Sequence, residues 1–174
     1  MMMRWLIAVV VATLVSGCNT LTPQDYARET PKLDLATYFN GKVDGWGTVQ
    51  DRSGKILRRM TVEIDCKWNG DEGVLDETFQ WSDGKTEKRV WKIRKVGDRY
   101  IGTAGDVVGE AMGEAAGNAL RWNYVLALPV DGSVYNMDMD DWMWLIDEKT
   151  MANRTTMSKL GVRVAEISIF FRKR

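Results

Sequence analysis

Two pairs of acidic residues are spaced so that both members of each pair fall on one face of an extended strand. The pairs are Glu110 with Glu114, and Asp138 with Asp140. Paired carboxylates can bind calcium or transfer protons, but Asp138 and Asp140 lack the loop spacing and the number of oxygen ligands of a calcium site. Glu110 and Glu114 lie beside a run of small residues. A glutamate whose pKa is raised by burial could act there as a general base.

Histidine is absent from the 174 residues, which excludes Ser-His and Cys-His catalytic pairs and histidine-ligated metal sites. No phosphate-binding loop, nucleotide fingerprint, Gly-x-Ser-x-Gly elbow or Cys-x-x-Cys pair occurs. We therefore predict no catalytic residue, metal site or cofactor, and favour a protein that is not an enzyme while leaving that question open. Lys plus Arg and Asp plus Glu both number 24, so the net charge is zero and no basic field attracts nucleic acid.

Aromatic side chains are the second set of candidate contacts. Each of the many tryptophans is a large apolar surface with an indole N–H, so tryptophans inside a barrel would suit an amphiphilic ligand, while core filling is the alternative. Trp122 and Tyr124 continue the apolar face of Leu126, and we expect them to face inward. Trp142 is a further candidate ligand contact. Arg121 could hold a carboxylate or phosphate, or form an ordinary salt bridge.

These candidates fall on segments that alternate between apolar and polar residues. The segment Leu57 to Trp68 alternates most clearly and lies between turns rich in Asp, Asn and Gly, which predicts a half-buried strand. Cys66 lies on its apolar face, so we expect a buried, unreactive thiol. Similar segments recur up to Phe171 and predict an all-β protein of about eight antiparallel strands. A closed up-and-down, lipocalin-like barrel removes both sheet edges and is favoured over a two-sheet sandwich.

Residues 105–119 carry a glycine at every fourth position, a spacing that fits either a strand or a helix. Four glycines would each cost a helix about 0.8–1 kcal/mol relative to alanine, which favours a strand. The odd-numbered face of that strand is nearly all Gly and Ala, so it allows close approach of a ligand or of another part of the chain. Glu110 and Glu114 share the inward parity of Trp122 and Tyr124, unless a bulge at a glycine turns them outward.

The first 17 residues have the organisation of a lipoprotein signal peptide. One cation, Arg4, precedes an apolar run from Trp5 to Val15 that is shorter than the about 20 residues needed to span a bilayer. The following Val15-Ser16-Gly17-Cys18 resembles a bacterial lipobox. We therefore expect cleavage before Cys18 and acylation of its thiol.

The acyl chains on Cys18 are expected to anchor the mature protein in a membrane of the cell envelope. Asn19 follows the cysteine, and bacteria that sort lipoproteins by this position generally keep those with Asp there at the inner membrane. The periplasmic face of the outer membrane is therefore favoured over the inner membrane. Residues 18–32 lack periodicity and are predicted to be a flexible tether, and residues 33–174 are predicted to form a single barrel domain.

Several blocks of sequence are shared with a known family. They are Asp51-Arg52-Ser53-Gly54-Lys55, the run from Gly117 to Leu126, Asp140-Asp141-Trp142-Met143, Met157-Ser158-Lys159 and the Phe-Phe-Arg-Lys-Arg ending. In these blocks the chain resembles the bacterial lipoprotein family of domain of unknown function 3833, from about Leu33 to Arg174. The resemblance implies an envelope lipoprotein and carries over no catalytic residues.

Three functions are compatible with these features. We favour non-covalent binding of a lipid or other amphiphile inside a membrane-anchored barrel. The alternatives are a glutamate-dependent barrel enzyme of the isomerase or cyclase type and a non-catalytic envelope scaffold. An apolar cavity would favour binding, a cavity containing Glu110 or Glu114 would favour the enzyme, and a filled barrel would favour the scaffold.

Overall fold

The computed structural model describes residues 20–174, whose sheet is a closed antiparallel barrel. Its ten strands are β1 (Gly41–Asp51), β2 (Ile56–Asn69), β3 (Glu72–Trp81), β4 (Thr86–Val96), β5 (Arg99–Thr103), β6 (Val107–Ala116), β7 (Ala119–Val130), β8 (Ser133–Leu145), β9 (Thr150–Lys159) and β10 (Val162–Lys173). Each strand pairs with its sequence neighbours, and β1 pairs with β10 to close the barrel. The predicted all-β up-and-down barrel is confirmed, with ten strands instead of about eight. The predicted signal peptide and Cys18 lie outside the described residues.

Alternation of side-chain direction explains why the strands close around a core. In β2, Met60, Val62, Ile64 and Cys66 are buried, while the residues between them are exposed. Successive side chains of a strand point to opposite faces, so one face of each strand lines the interior. Burial of a large apolar side chain is worth about 1.5–3 kcal/mol, which makes the shared inner face the main stabilising element.

Strand β6 lies in the glycine-rich segment, whose glycine spacing by itself fits either a strand or a helix. The pairing of β6 with β7 is irregular between Val108 and Met112, and Gly109 inside this stretch has a φ of 72°, a conformation that favours glycine. Beyond the irregularity the small residues face inward and are buried, while Glu110 is exposed and Glu114 is half-buried. The bulge alternative for these two glutamates is therefore the one observed.

A plug formed by the chain before β1 fills one end of the barrel. It contains the one-turn helix α1 (Leu35–Tyr38), and its buried side chains are Leu33, Leu35, Tyr38 and Phe39. The indole N–H of Trp68 donates to the carbonyl of Phe39 at 2.8 Å, and the backbone N–H of Leu35 donates to the hydroxyl of Tyr100 at 3.2 Å. We call this end the closed end. The opposite end, formed by the hairpin turns β1–β2, β3–β4, β5–β6, β7–β8 and β9–β10, is called the open end.

The segment before the plug packs along the outside of the barrel and is called the strap (residues 20–32). It contains a 3-10 helix, Pro23–Tyr26, whose Pro23 is buried. The ring of Tyr26 contacts Trp142 and Trp144 at centroid distances of 6.0 and 6.2 Å. This differs from the flexible tether expected for residues 18–32, because short-range periodicity carries no information about contacts with distant strands.

Candidate functional site

Trp122 and Tyr124 point into the barrel, as their alternation predicts. Trp122 is buried, and its ring lies so close to β5 and β6 that a Cβ at Gly102 or Gly113 would lie 2.7 or 2.1 Å from ring carbons. Trp91 makes edge contacts with both rings, at centroid distances of 5.7 Å to Trp122 and 5.5 Å to Tyr124. The small-residue face of β6 therefore accommodates a side chain of the protein itself.

Glu110, Glu114 and Arg121 lie on the outer wall and do not line the interior. Glu114 accepts a hydrogen bond at 3.2 Å from the side-chain amide of Gln24 in the strap. Arg121 makes two hydrogen bonds to Asp140, from Nε to Oδ1 at 2.6 Å and from Nη2 to Oδ2 at 2.9 Å. Arg121 was predicted either to hold a ligand carboxylate or phosphate or to form an ordinary salt bridge, and its geometry is that of a salt bridge.

Trp142 also lies on the outer wall, because the inward face of β8 is the odd-numbered one. It is buried beneath Tyr26 of the strap and stacks on Trp144 at a centroid distance of 5.7 Å and an interplanar angle of 10°. The two tryptophans lie on the same face of β8. That face is covered by the strap and is turned away from the lumen, so Trp142 is not placed to contact a molecule inside the barrel.

The interior carries a group of polar side chains, of which the sequence patterns singled out Tyr124 alone. This interior polar cluster consists of Glu77, Arg89, Asp106, Tyr124, Asp141, Asn153 and Thr155. Glu77 on β3 and Asp141 on β8 are 9% and 7% exposed. Because β3 and β8 are five strands apart in the ring of ten, the two carboxyl groups approach the lumen from opposite walls.

Glu77 is incompletely satisfied by its neighbours. It is directly opposite Arg89 in the β3–β4 pair, but Nη1 of Arg89 lies 3.9 Å from Oε2, too far for a hydrogen bond. Arg89 instead donates from Nε and Nη2 to Asp106 at 2.9 and 2.6 Å. Oε2 of Glu77 has no hydrogen-bond partner within residues 20–174. Burial raises the pKa of Glu77 from 4.5 to about 7; Arg89 opposes this rise, and Asp106 and Asp141 add to it.

Asp141 is held by two neighbours on β9. The side-chain amide of Asn153 donates to the Asp141 carboxylate, and also to the carbonyl of Trp142 at 3.1 Å. Burial raises the pKa of Asp141 to about 7, although side-chain hydrogen bonds from Thr155 and Asn153 lower it. Two buried carboxyl groups that titrate near neutrality can accept a hydrogen bond or donate a proton to a molecule between them.

An apolar surface lines another side of the open half, which is the half of the barrel nearer the open end. We call this surface the methionine wall. It consists of Leu126, Met137, Met139, Met157 and Ala165. Methionine has a flexible, polarisable side chain that adapts to irregular shapes. Tyr124, Met143 and Ile167 pack against the core yet are only half-buried. Because these side chains face inward, their incomplete burial indicates that the interior is not completely filled.

Aromatic and cationic groups lie on β2 and β3 towards the open end. Trp81 stacks on Phe79 with ring centroids 6.0 Å apart, and the guanidinium of Arg58 lies 3.9 Å above the Trp81 ring. Arg58 also pairs with Asp83 at 3.0 Å. The open half thus combines apolar, aromatic and charged surfaces. Within residues 20–174, no group of three or more Cys, Asp or Glu side chains is placed to hold a metal ion.

The fold places the protein in the class of closed, antiparallel up-and-down β-barrels. Residues 12–173 match the family described as "Protein of unknown function (DUF3833)", and the chain belongs to this family. This confirms the family that the shared sequence blocks predict. No curated protein sequence matches the chain.

Two solved structures with similar folds differ widely from this chain in sequence. A protein of unknown function from the DUF3598 family of Nostoc punctiforme has 11% identity and a TM-score of 0.59 over 84% of this chain and 51% of that chain. The S-type phycobiliprotein lyase of Guillardia theta has 7% identity and a TM-score of 0.58 over 89% of this chain and 99% of that chain. This chain therefore spans about half the length of the Nostoc protein. These similarities concern the barrel fold.

Proposed function

We propose that this protein binds an amphiphile non-covalently in the open half of its barrel. The observation that carries the proposal is the division of the interior into the methionine wall and the interior polar cluster. An amphiphile would bury its chain against Met137, Met139 and Met157 and place its polar end beside the cluster. Burial contributes about 0.8 kcal/mol per CH₂, so an eight-carbon chain offers about 6 kcal/mol against the cost of association.

Ligands recovered with the protein would test this binding. The full-length protein, extracted from its own membrane, is analysed by native mass spectrometry beside Met139→Gln in the methionine wall. Met112→Gln is the matched control, because Met112 is exposed on the outer wall. We expect an amphiphile to accompany the wild type and the control, and to be reduced about tenfold or more in Met139→Gln, provided circular dichroism shows that each variant is folded. Absence of any amphiphile from the wild type would favour the scaffold function.

We further propose that acylated Cys18 anchors the barrel at the periplasmic face of the outer membrane. The support is the Val15 to Cys18 lipobox, with Asn19 after it, and the strap, which begins at Thr20 and packs on the wall formed by β6 to β8. An anchor two residues before Thr20 would hold this wall close to the lipid surface. Cys18→Ser should leave an uncleaved precursor without the acyl mass. Normal processing of that variant would contradict the anchor.

Proton-transfer catalysis is a second candidate function, and Glu77 is the observation that favours it. A buried carboxyl with a pKa of about 7 and a free oxygen meets the requirements of a general base. Glu110 and Glu114 on the outer wall do not. With 2-octanone in D₂O, the Glu77 carboxylate would remove a proton from the carbon beside the carbonyl, and a deuteron from solvent would replace it. NMR should show faster exchange with the wild type than with Glu77→Gln, and equal rates would reject catalysis by Glu77.

A further inference from the structure

We infer that the molecule bound in the barrel carries a primary ammonium group, held between Glu77 and Asp141. This inference rests on the proposed function and specifies the chemical class of the ligand: an alkylammonium or another amine-bearing amphiphile, and not a fatty acid or an anionic lipid.

The balance of charge inside the cluster favours a cation. The cluster contains three carboxyl groups, on Glu77, Asp106 and Asp141, and one guanidinium, on Arg89. Arg89 donates its hydrogen bonds to Asp106. Within the described cluster, therefore, neither Glu77 nor Asp141 has a cation that is hydrogen-bonded to it. A buried charge without a close partner is costly, and a ligand cation would offset that cost. A carboxylate or phosphate on the ligand would increase it.

The available hydrogen-bond acceptors also match an ammonium group. Oε2 of Glu77 is a buried acceptor without a hydrogen-bond partner in the described chain, on a residue that is 91% buried. On the opposite wall, the Asp141 carboxylate accepts from Asn153 and Thr155, and its two oxygens have further lone pairs. An ammonium has three donors and no acceptor, so it can engage both carboxylates at once. A carboxylate ligand has no donor to offer either.

Arg58, an inward-facing cation near the open end, is already engaged, so it is not free to hold an anionic head group. Arg58 pairs with Asp83 at 3.0 Å and with Glu87 at 3.7 Å, and it also stacks over Trp81. An anion would therefore have to displace these carboxylates. The methionine wall on the other side of the lumen would accept the alkyl chain in either case, so the polar end decides the selectivity.

Three ligands share an eight-carbon chain and differ in the polar end: octylamine, octanoate and octanol. Comparing them distinguishes the contribution of the polar end to binding from that of the chain. Each is titrated at pH 8 by isothermal titration calorimetry into the full-length protein in phosphatidylcholine nanodiscs, with empty nanodiscs as the blank. The variants are Glu77→Gln and Asp141→Asn, and Glu110→Gln is the matched control on the outer wall. Comparison of each variant with the wild type in the same nanodiscs cancels partition of the ligand into lipid.

We expect octylamine to bind the wild type and Glu110→Gln at least about tenfold more tightly than octanoate, because charge-assisted hydrogen bonds contribute strongly. Glu77→Gln and Asp141→Asn should each weaken octylamine binding about tenfold and leave octanol binding within about threefold. If one variant does not fold, the other provides the test.

Each other result has a distinct meaning. Equal binding of the three ligands, tighter binding of octanoate, or an amine preference that survives both carboxyl variants would overturn the inference and leave the proposed function standing. Failure of all three ligands to bind the wild type would overturn the proposed function itself, together with the inference.

Discussion

Replacement of Glu77 by Gln should stabilise the barrel at pH 8 and leave its stability nearly unchanged at pH 4.5. Glu77 is buried, and no hydrogen bond to its Oε2 compensates for the loss of hydration. Nη1 of the Arg89 guanidinium lies 3.9 Å from Oε2, and Nε and Nη2 of the same guanidinium donate to Asp106. Gln has nearly the same shape as the protonated side chain and no charge, so it removes the cost of ionisation and keeps the packing.

The size and the sign follow from the pKa of Glu77 in the two states. The unfolded chain releases the proton near the ordinary pKa of 4.5, and the folded chain releases it near 7. Between these values the folded state binds more protons, so the free energy of unfolding falls as the pH rises from about 4.5 to about 7. A tenfold difference in proton affinity is worth about 1.4 kcal/mol, which gives about 3 kcal/mol at pH 8. Asp141 contributes in the same direction.

Urea unfolding followed by tryptophan fluorescence at pH 4.5 and pH 8 measures this difference. Residues 20–174 are used for the wild type, Glu77→Gln and Glu110→Gln, the last being the same substitution at an exposed position. The expected gain of up to about 3 kcal/mol at pH 8 should be absent from the control. A Glu77→Gln variant that is less stable than the wild type at both pH values would refute the reasoning. That result would mean that the contact with Arg89 outweighs the cost of burial.

Three further predictions concern the β6–β7 turn, β2 and the strap. Gly117→Ala should lower the free energy of unfolding by more than about 2 kcal/mol, because its Cβ would lie 1.7 Å from the Tyr26 carbonyl oxygen. The control is Gly70→Ala, which is also at positive φ but has no atom within 4 Å, and it should cost about 1 kcal/mol in the same urea assay. The Cys66 thiol, whose pKa is raised to about 12 by burial, should react with iodoacetamide only after unfolding, and rapid labelling of the folded protein would contradict the register of β2. Tyr26→Ala should make the strap susceptible to protease without changing the circular dichroism of the barrel; unchanged resistance would show that the ring contacts do not hold it.

The strands that the sequence predicts are those with an apolar inner face. β2 is recognisable because Met60 to Cys66 bury every second side chain. β9 lacks a clear apolar alternation because Asn153 and Thr155 occupy its inner face, where they support Asp141. β5 is only five residues long, which is too few to establish a period. The predicted count of about eight strands is therefore too low partly because polar inward side chains, such as those of the candidate site, hide a strand from an apolar alternation pattern.

The candidate site itself left a partial signal in the sequence. Glu77 lies two residues from Leu75 and from Phe79 on a face that alternation assigns to the interior, and a carboxylate there indicates either an error of register or a buried charge. Asp141 left a weaker signal, because Met139 and Met143 share its face while Trp142 and Trp144 make part of the opposite face of β8 apolar as well. The strap covers that face through contacts distant in sequence, which local pattern cannot anticipate.

Binding of a cationic ligand would offset the instability that the buried carboxylates of Glu77 and Asp141 introduce. If an ammonium group sits between the two carboxylates, it stabilises the ionised form whose burial destabilises the empty barrel. A ligand at one hundred times its Kd raises the free energy of unfolding by about 2.7 kcal/mol, which is comparable with the cost assigned to Glu77. Saturating octylamine at pH 8 should therefore raise the thermal unfolding temperature of the wild type and have a smaller effect on Glu77→Gln, which lacks the charge to be offset. Differential scanning fluorimetry with octanol as the matched neutral ligand measures both shifts. Equal octylamine shifts in the two proteins would mean that the amine binds through its chain alone, and that the buried carboxyl groups have another role.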